Sequence, residues 1–363
     1  MCYPARIFSE AFSDKRYAIT VGAQNEEVFV ERVRVVLPVF NGEKYLEYAI
    51  NSVLIQTYQN FEVLIADDGS TDSTAKITEK YASKDDRIKH LKLPHGGVSS
   101  ARNAAIEAAG SFAYVAFIDA DDRWDADHLA IGVSVLSRFS EADVYFSGIR
   151  VDASESAWDE DRVSEYESIV SSPSRDFDEC VDNETYLISG PRCRKALLLG
   201  TLWIMPSTVI MRKNSVSRSQ WFRTDLAVSE DTELFLEIAR QNKTFIFDKT
   251  PRVIYRRHSE NASASPDVLG KKSGAALIAA LRFSKIRLSV CDTPDELMRV
   301  SRQASEFSYL VALNYLARHE RRIARKYFIE SLHFKIGWKA IKGIVATVLP
   351  EIIVRKIQNW RGS

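Results

Sequence analysis

From Val33 to about Arg150 the sequence alternates short apolar runs with amphipathic stretches, and no other feature of the 363 residues restricts the fold as tightly. "VRVVLPVF" reads as a buried strand, "EKYLEYAINSVLIQ" as a helix with apolar residues at helical spacing, and "FEVLIAD" as a second strand. "TAKITEKYASK" follows as a helix that Asp72 can cap, "IKHLKL" as a third strand, and "VSSARNAAIEAAG" as an alanine-rich helix ended by Gly110. "AYVAFID", "DADHLAIGVSVLSRF" and "DVYFSGI" continue the series as strand, helix and strand. Strands alternating with helices imply an α/β fold, a mainly parallel sheet flanked by helices on both faces. Such sheets place their ligands beyond the carboxyl ends of the strands.

That edge collects carboxylates. Asp67 and Asp68 end one expected strand, and Asp119, Asp121 and Asp122 end another in "FIDADDRW". Adjacent like charges repel unless something positive or hydrogen-bonding meets them, so a held ligand is expected here. Hard divalent cations such as magnesium and manganese take oxygen ligands, commonly one or two carboxylates plus substrate phosphate oxygens, and "DADD" supplies such ligands. The same aspartates also suit a solvated turn that caps the helix beginning near Trp124. Asp68 has two readings as well: an acceptor for a base or ribose, or part of a type I turn in "DDGS". No G-x-G-x-x-G follows the first strand and no G-x-x-x-x-G-K-[ST] occurs, which argues against a nicotinamide enzyme and a phosphate-loop kinase.

Past Arg150 the pattern weakens. Asp152 to Glu184 holds twelve acidic and two basic residues and reads as an irregular loop or insertion. "LWIMPSTVIMRK" resumes as a strand entering the sheet, "DTELFLEIARQ" as a helix and "TFIFDKTPRVIYRRH" as an extended stretch. From about Val268 onward the character is helical. The paired helices from Tyr309 to Phe334 look like a single tetratricopeptide unit, too little to stand alone. The expected organisation is an N-terminal extension over 1–32, a main α/β domain over 33–265 divided near 150 into two halves, and a helical C-terminal region over 266–363.

The 49 basic and 49 acidic side chains cancel, so total charge gives no argument for nucleic acid as a partner. Arg318 to Ser363, however, holds eleven basic and three acidic residues. Within it "KIGWKAIKGIVATVLPEIIVRKI" can lie as a basic amphipathic helix on an anionic membrane surface, or pack its apolar side on protein; Pro350 should break it in either case. Cys2, Cys180, Cys193 and Cys291 form no C-x-x-C pair, so neither a disulfide framework nor a zinc site is expected and a reducing cytoplasm fits. The first twenty residues lack the apolar core of a signal peptide, and no run of about 18 apolar residues would span a bilayer. The expectation is a cytoplasmic protein, soluble or peripheral at the inner face of the membrane. Sequons at Asn183, Asn242 and Asn261 carry little weight without a secretory route.

"VVLPVFNGEKYLEYAINSVLIQTYQNFEVLIADDGSTDST", "GGVSSARNAAIEAAGSFAYVAFIDADD" and "FRTDLAVSEDTELFLEIA" together resemble the family 2 glycosyltransferases, nucleotide-sugar enzymes of the A-type glycosyltransferase fold. The resemblance covers roughly Arg34 to Ser263, and implies that 33–265 is the catalytic domain, with 33–150 its nucleotide-sugar half and 151–265 its acceptor half. It implies that Pro38, Val39 and Phe40 line the base pocket, that Asp68 contacts uracil or ribose, and that Arg102 faces the nucleotide. It further implies that Asp119 and Asp121, with Asp122 adjacent, are the D-x-D residues at the metal and diphosphate. Asp231 would then be the catalytic base with Glu230 beside it, and His258 would lie near the metal. "SED" alone could equally start a helix with Ser229 as its cap.

The implied activity is inverting, metal-dependent transfer of a sugar from a nucleotide diphosphate donor, expected to be a uridine diphosphate sugar, to a hydroxyl of a glycan or glycolipid in surface-polysaccharide synthesis, with Mn2+ or Mg2+ as cofactor. Such chemistry needs a cation for the departing diphosphate and a positioned carboxylate for the acceptor proton. Two rivals stand beside it. A nucleotidyltransferase would need a glycine-rich basic loop that "PVFNGEKYLE" lacks. A non-catalytic sugar-nucleotide binding or scaffold protein would not need Asp231.

Overall fold

The computed structural model describes residues 31–156, 160–171, 179–181, 184–258, 274–335 and 337–348. The expected extension up to residue 30, the tail segment beyond Pro350 and the sequons at Asn183 and Asn261 lie outside the described residues.

Strands β1 (Val33–Val39) and β2 (Phe61–Asp67) are buried along their whole length and pair in parallel. β3 (Ile88–Lys92) extends the sheet beyond β2, and β4 (Tyr114–Phe117) extends it beyond β1, both also parallel. The two-residue period of a strand sends Val36, Leu64, Ala66 and Phe117 to one face and Val35, Leu37, Val63 and Ile65 to the other. The first face receives α3 (Val98–Glu107) through Ala101, Ala105 and Ile106. The second receives α1 (Leu46–Leu54) and α4 (His128–Arg138) through Leu46, Ile50, Leu129 and Leu136. A sheet covered on both faces needs near-continuous apolar strands, as the sequence has. α2 (Thr74–Ala82) lies between β2 and β3 in the chain, and Asp72 Oδ1 accepts the Thr74 N–H at its start at 2.9 Å.

Beyond β4 the sheet becomes mixed. β9 (Val209–Arg212) sits between β4 and β6 (Ala142–Glu155), antiparallel to both. β10 (Thr244–His258) runs parallel to β6. β8 (Thr185–Ile188), β7 (Glu179–Cys180) and the two-residue β5 (Arg123–Trp124) add antiparallel ladders on this side. The order is β3-β2-β1-β4-β9-β6-β10-β8-β7, with β5 on β10. The parallel expectation therefore holds within β3-β2-β1-β4 and for the β6–β10 pair. A four-residue buried run such as "VIMR" reads the same in either direction, so its orientation is invisible in sequence.

The acidic stretch after Arg150 is more ordered than expected. β6 continues to Glu155, α5 spans Glu160–Ser171 and α6 spans Gly190–Leu199. Glu160 and Asp161 stand in the first turn of α5, where carboxylates favour the helix dipole. The C-terminal region consists of α8 (Gly274–Leu288), α9 (Pro294–Ala317), α10 (Arg321–Phe334) and α11 (Trp338–Val348). Thr293 and Glu296 start α9 with a reciprocal capping box, and Pro294 occupies its first turn. Among the described residues no helix is long and apolar enough to cross a membrane.

One buried arginine fixes α3. Arg34 on β1 is 0% exposed; it donates to Glu62 at 2.6 Å and to the carbonyls of Ile106, Ala108 and Ala109 at 3.0, 2.6 and 3.0 Å. These are the orphan carbonyls of a helix end, so a cation there satisfies them and complements the dipole. Gly110 has φ +128°, and a Cβ there would lie 2.7 Å from Arg34 Nη2. The helix that carries Arg102 is thus tied to the centre of the sheet.

Candidate active site

The hydroxyl cluster "DGSTDST" holds the neighbouring loop. Asn41 and Gly42 donate their backbone N–H groups to Ser70 Oγ and Thr74 Oγ1, each at 2.9 Å. Glu43 N–H donates to Asp72, and Glu43 in return accepts from the Ser73 N–H. The turns after β1 and β2 are therefore one interlocked unit on the carboxyl edge of the sheet. Asp68 is 3% exposed and accepts from the N–H groups of Gly96 and Gly97 at 2.8 and 2.9 Å, with His95 Nδ1 at 2.9 Å. It thereby fixes the loop that opens α3. Pro38 and Val39, expected to line a base pocket, are buried in β1; Phe40 is the residue of that trio at the surface. Its ring meets His95 at 4.4 Å between centroids.

Arg102 joins two loops that sequence reasoning placed apart. It is 3% exposed, donating to Asp119 and to Glu230, each at 2.8 Å. Burial disfavours its charge, but Asp119 and Glu230 overcome that and hold it protonated. Adjacent Asn103 exchanges two hydrogen bonds with the backbone of Phe222, 2.7 and 2.8 Å long. "ARN" thus grips both the turn after β4 and the segment leading to α7 (Glu230–Arg240).

Ser229, expected as a possible cap, makes no capping bond through its side chain and adopts a left-handed φ of +63°. Few residues with a Cβ stand there without a tertiary reason. Ser229 stands directly before the acid pair Glu230–Asp231 that begins α7. Glu230 is held by Arg102. Asp231 accepts from the Thr232 N–H and hydroxyl on Oδ1, and burial, followed by repulsion from Glu230, pushes its carboxyl up to about 7 against the opposing pull of Arg102. A carboxylate titrating near neutrality suits general base chemistry.

The four groups expected around a metal do not form one cage. Asp119 is taken by Arg102. Asp122 is 1% exposed and accepts from Ser207 Oγ at 2.6 Å and from the Arg256 N–H at 3.3 Å; burial, with Asp121 and Asp119 close by, pushes its carboxyl well above the usual range. Among the described residues no three acidic, histidine or cysteine side chains converge on a point. What remains is a pair: Asp121 Oδ2 lies 3.0 Å from His258 Nε2 at the end of β10, with the His258 ring against Tyr45 at 4.6 Å. Burial and the charge of Asp119 raise the carboxyl of Asp121, a condition a cation would relieve. A carboxylate oxygen beside an imidazole nitrogen is a donor set that suits manganese better than magnesium, which prefers oxygen alone, and diphosphate oxygens and water would complete the shell.

Ser207 escaped the sequence reading. Its hydroxyl accepts from the Asp119 N–H at 3.0 Å and donates to Asp122, and its carbonyl accepts from Trp124 Nε1 at 2.7 Å. Nothing in "MPST" marks it in the sequence, because its role exists only once the turn after β4 is in place.

A family model described as Glycosyl transferase family 2 matches residues 34–198. Over 98 residues the chain is 42% identical to the putative teichuronic acid biosynthesis glycosyltransferase TuaG of Bacillus subtilis, covering 27% of this chain and 38% of that one. Over 99 residues it is 35% identical to glycosyltransferase GlyA of Streptococcus pneumoniae, covering 27% of this chain and 14% of that one. The chain thus spans well under half the length of these relatives. Among solved structures, S. aureus TarS 1–349 in complex with UDP-GlcNAc superposes with a TM-score of 0.58 at 17% identity, covering 87% of this chain and 89% of that one. The mannosyltransferase PcManGT of Pyrobaculum calidifontis, in complex with GDP-Man and Mn2+, gives 0.51 at 16% identity over 92% and 84%. These likenesses establish the A-type glycosyltransferase fold.

Proposed function

We propose that the chain, whose residues 34–198 match the family 2 glycosyltransferase model, is an inverting, metal-dependent enzyme moving a sugar from a uridine diphosphate donor to a hydroxyl of a glycan or glycolipid in surface-polysaccharide synthesis. The observation that carries this is the bridge Asp119–Arg102–Glu230, which ties the turn after β4, where Asp121 meets His258, to the acid pair Glu230–Asp231. Neighbours of the same fold were solved with UDP-GlcNAc and with GDP-Man and Mn2+, and TuaG is named for teichuronic acid biosynthesis, which supports the class of donor, metal and product.

Phe40 and His95 flank the base, and Asp68 holds the Gly96–Gly97 loop against it. Asp121 and His258 would hold the divalent cation, which when bound neutralises charge on the departing diphosphate. Arg102 keeps Asp119 and Glu230 from repelling each other and the diphosphate. Asp231, the acid of the pair not tied to Arg102, removes the acceptor proton as the hydroxyl attacks the anomeric carbon from the face opposite the leaving group. A single base and in-line attack give inversion.

The same reading places the chain at the cytoplasmic face of the membrane. α11 packs through Ala340, Ile344 and Thr347, and leaves Trp338, Val345 and Val348 exposed beside Lys339 and Lys342. An apolar strip edged by lysines suits an anionic lipid surface. The test of function is a screen of nucleotide sugars with manganese, reading slow hydrolysis without acceptor. Selective hydrolysis of one uridine diphosphate sugar is expected. Hydrolysis of none would overturn the reading.

A further inference from the structure

Trp203 is 53% exposed, an uneconomical place for the largest side chain in a globular protein unless something covers it. Its exposure is fixed by its neighbours. Leu202 and Ile204 are 7% and 5% exposed and anchored in the core beneath β9, so the segment turns every second residue outward. Four residues on, Ser207 grips Asp119 and Asp122. Tyr166 of α5 meets the indole edge-on, 6.5 Å between centroids at 90°, and stacks on Tyr255 of β10 at 6.0 Å. The Tyr166 phenol lies in the field of Arg257, Asp122 and Asp231. Tyr255 precedes Arg256, whose N–H donates to Asp122 at 3.3 Å, so an aromatic row runs from the exposed indole to the acidic turn after β4.

Sheet order says which ligand this row serves. Phe40 and His95, the aromatic pair beside Asp68, belong to the β3-β2-β1 side. Trp203, Tyr166 and Tyr255 belong to the β9-β6-β10 side, with the Asp119–Asp122 turn after β4 between the two groups. A donor anchored at Asp68 and Asp121 leaves the second group to the other reactant. We propose that Trp203 is the stacking platform for the acceptor's sugar ring, its indole covering the ring's apolar C–H face while Tyr166 buttresses the indole edge. This assignment rests on the glycosyltransferase reading above.

The test is saturation-transfer NMR of the full chain with a mixture of methyl pyranosides, comparing the parent with Trp203→Ala and Trp203→Phe. Thermal unfolding checks the fold, and UDP titration checks the donor side. The parent should saturate the ring C–H protons of at least one pyranoside. Trp203→Ala should weaken that binding about tenfold or more, and Trp203→Phe about threefold or less, consistent with retained aromatic surface. UDP affinity should stay within about twofold of the parent in both. Unchanged saturation in a folded Trp203→Ala, a matching loss of UDP affinity, or a parent that hydrolyses donor yet saturates no pyranoside would each overturn the platform. A parent that hydrolyses no donor overturns the reading beneath it.

Discussion

Asp231 and Glu230 are adjacent acids with different fates, and the difference is measurable. Arg102 holds Glu230 as an anion partner, whereas burial and Glu230 leave Asp231 titrating at about 7. The proposed base works deprotonated, so turnover should rise with pH through about 7. Asp231→Asn should lose that limb and about 100-fold to 10,000-fold in rate, with donor affinity intact. The stability sign is opposite. A carboxyl raised from 3.8 to about 7 binds its proton more tightly folded than unfolded, so its contribution is present below 3.8 and lost as pH rises through 7. At about 1.36 kcal/mol per tenfold change in proton affinity the ceiling is about 4 kcal/mol. Asp231→Asn should therefore unfold at higher urea than the parent at pH 8, and the gap should close towards pH 4. Arg102→Met should do the reverse, costing about 3–5 kcal/mol in denaturant titration, because it strands the buried carboxylate of Glu230 beside Asp119.

At the scale of elements, legibility in the sequence followed the strength of the period. Short apolar runs made β1 to β4, and 3.6-residue patterns made α1 to α4 and the C-terminal helices, readable within a few residues. α5 and α6 were missed because charged and small residues dilute their apolar stripe, and their register is set by tertiary contacts. The site residues readable in advance were those with special chemistry at strand ends. Ser207 and Asn103 were not, because a serine or asparagine announces nothing until the loop it ties is in place. α11 gives two element-scale tests. A Cβ on Gly343 would lie 2.3 Å from the Phe328 ring, so Gly343→Ala should lever α11 off α10 at a cost of about 1–3 kcal/mol, seen as faster proteolysis between the two helices. Lys339→Glu with Lys342→Glu should abolish salt-sensitive sedimentation with anionic liposomes; sedimentation equal to the parent's would remove the membrane from the account.

At the scale of the whole described fold, the parallel edge β3-β2-β1-β4, proposed to hold the nucleotide, stands against a mixed edge β9-β6-β10, and Arg102 links the turn after β4 to Glu230 beside the proposed base. In the proposed reading the donor, cation and base are held by residues from different elements. The central claim concerns the turn after β4, where Asp121 and His258 are proposed to hold the cation. Calorimetric titration of UDP into the parent and Asp121→Asn, each with manganese and with chelator, addresses that point most directly. The parent should bind UDP about tenfold or more tightly with manganese, and Asp121→Asn should lose that gain while keeping the parent's metal-free affinity. Equal, metal-independent affinity in both proteins would contradict it.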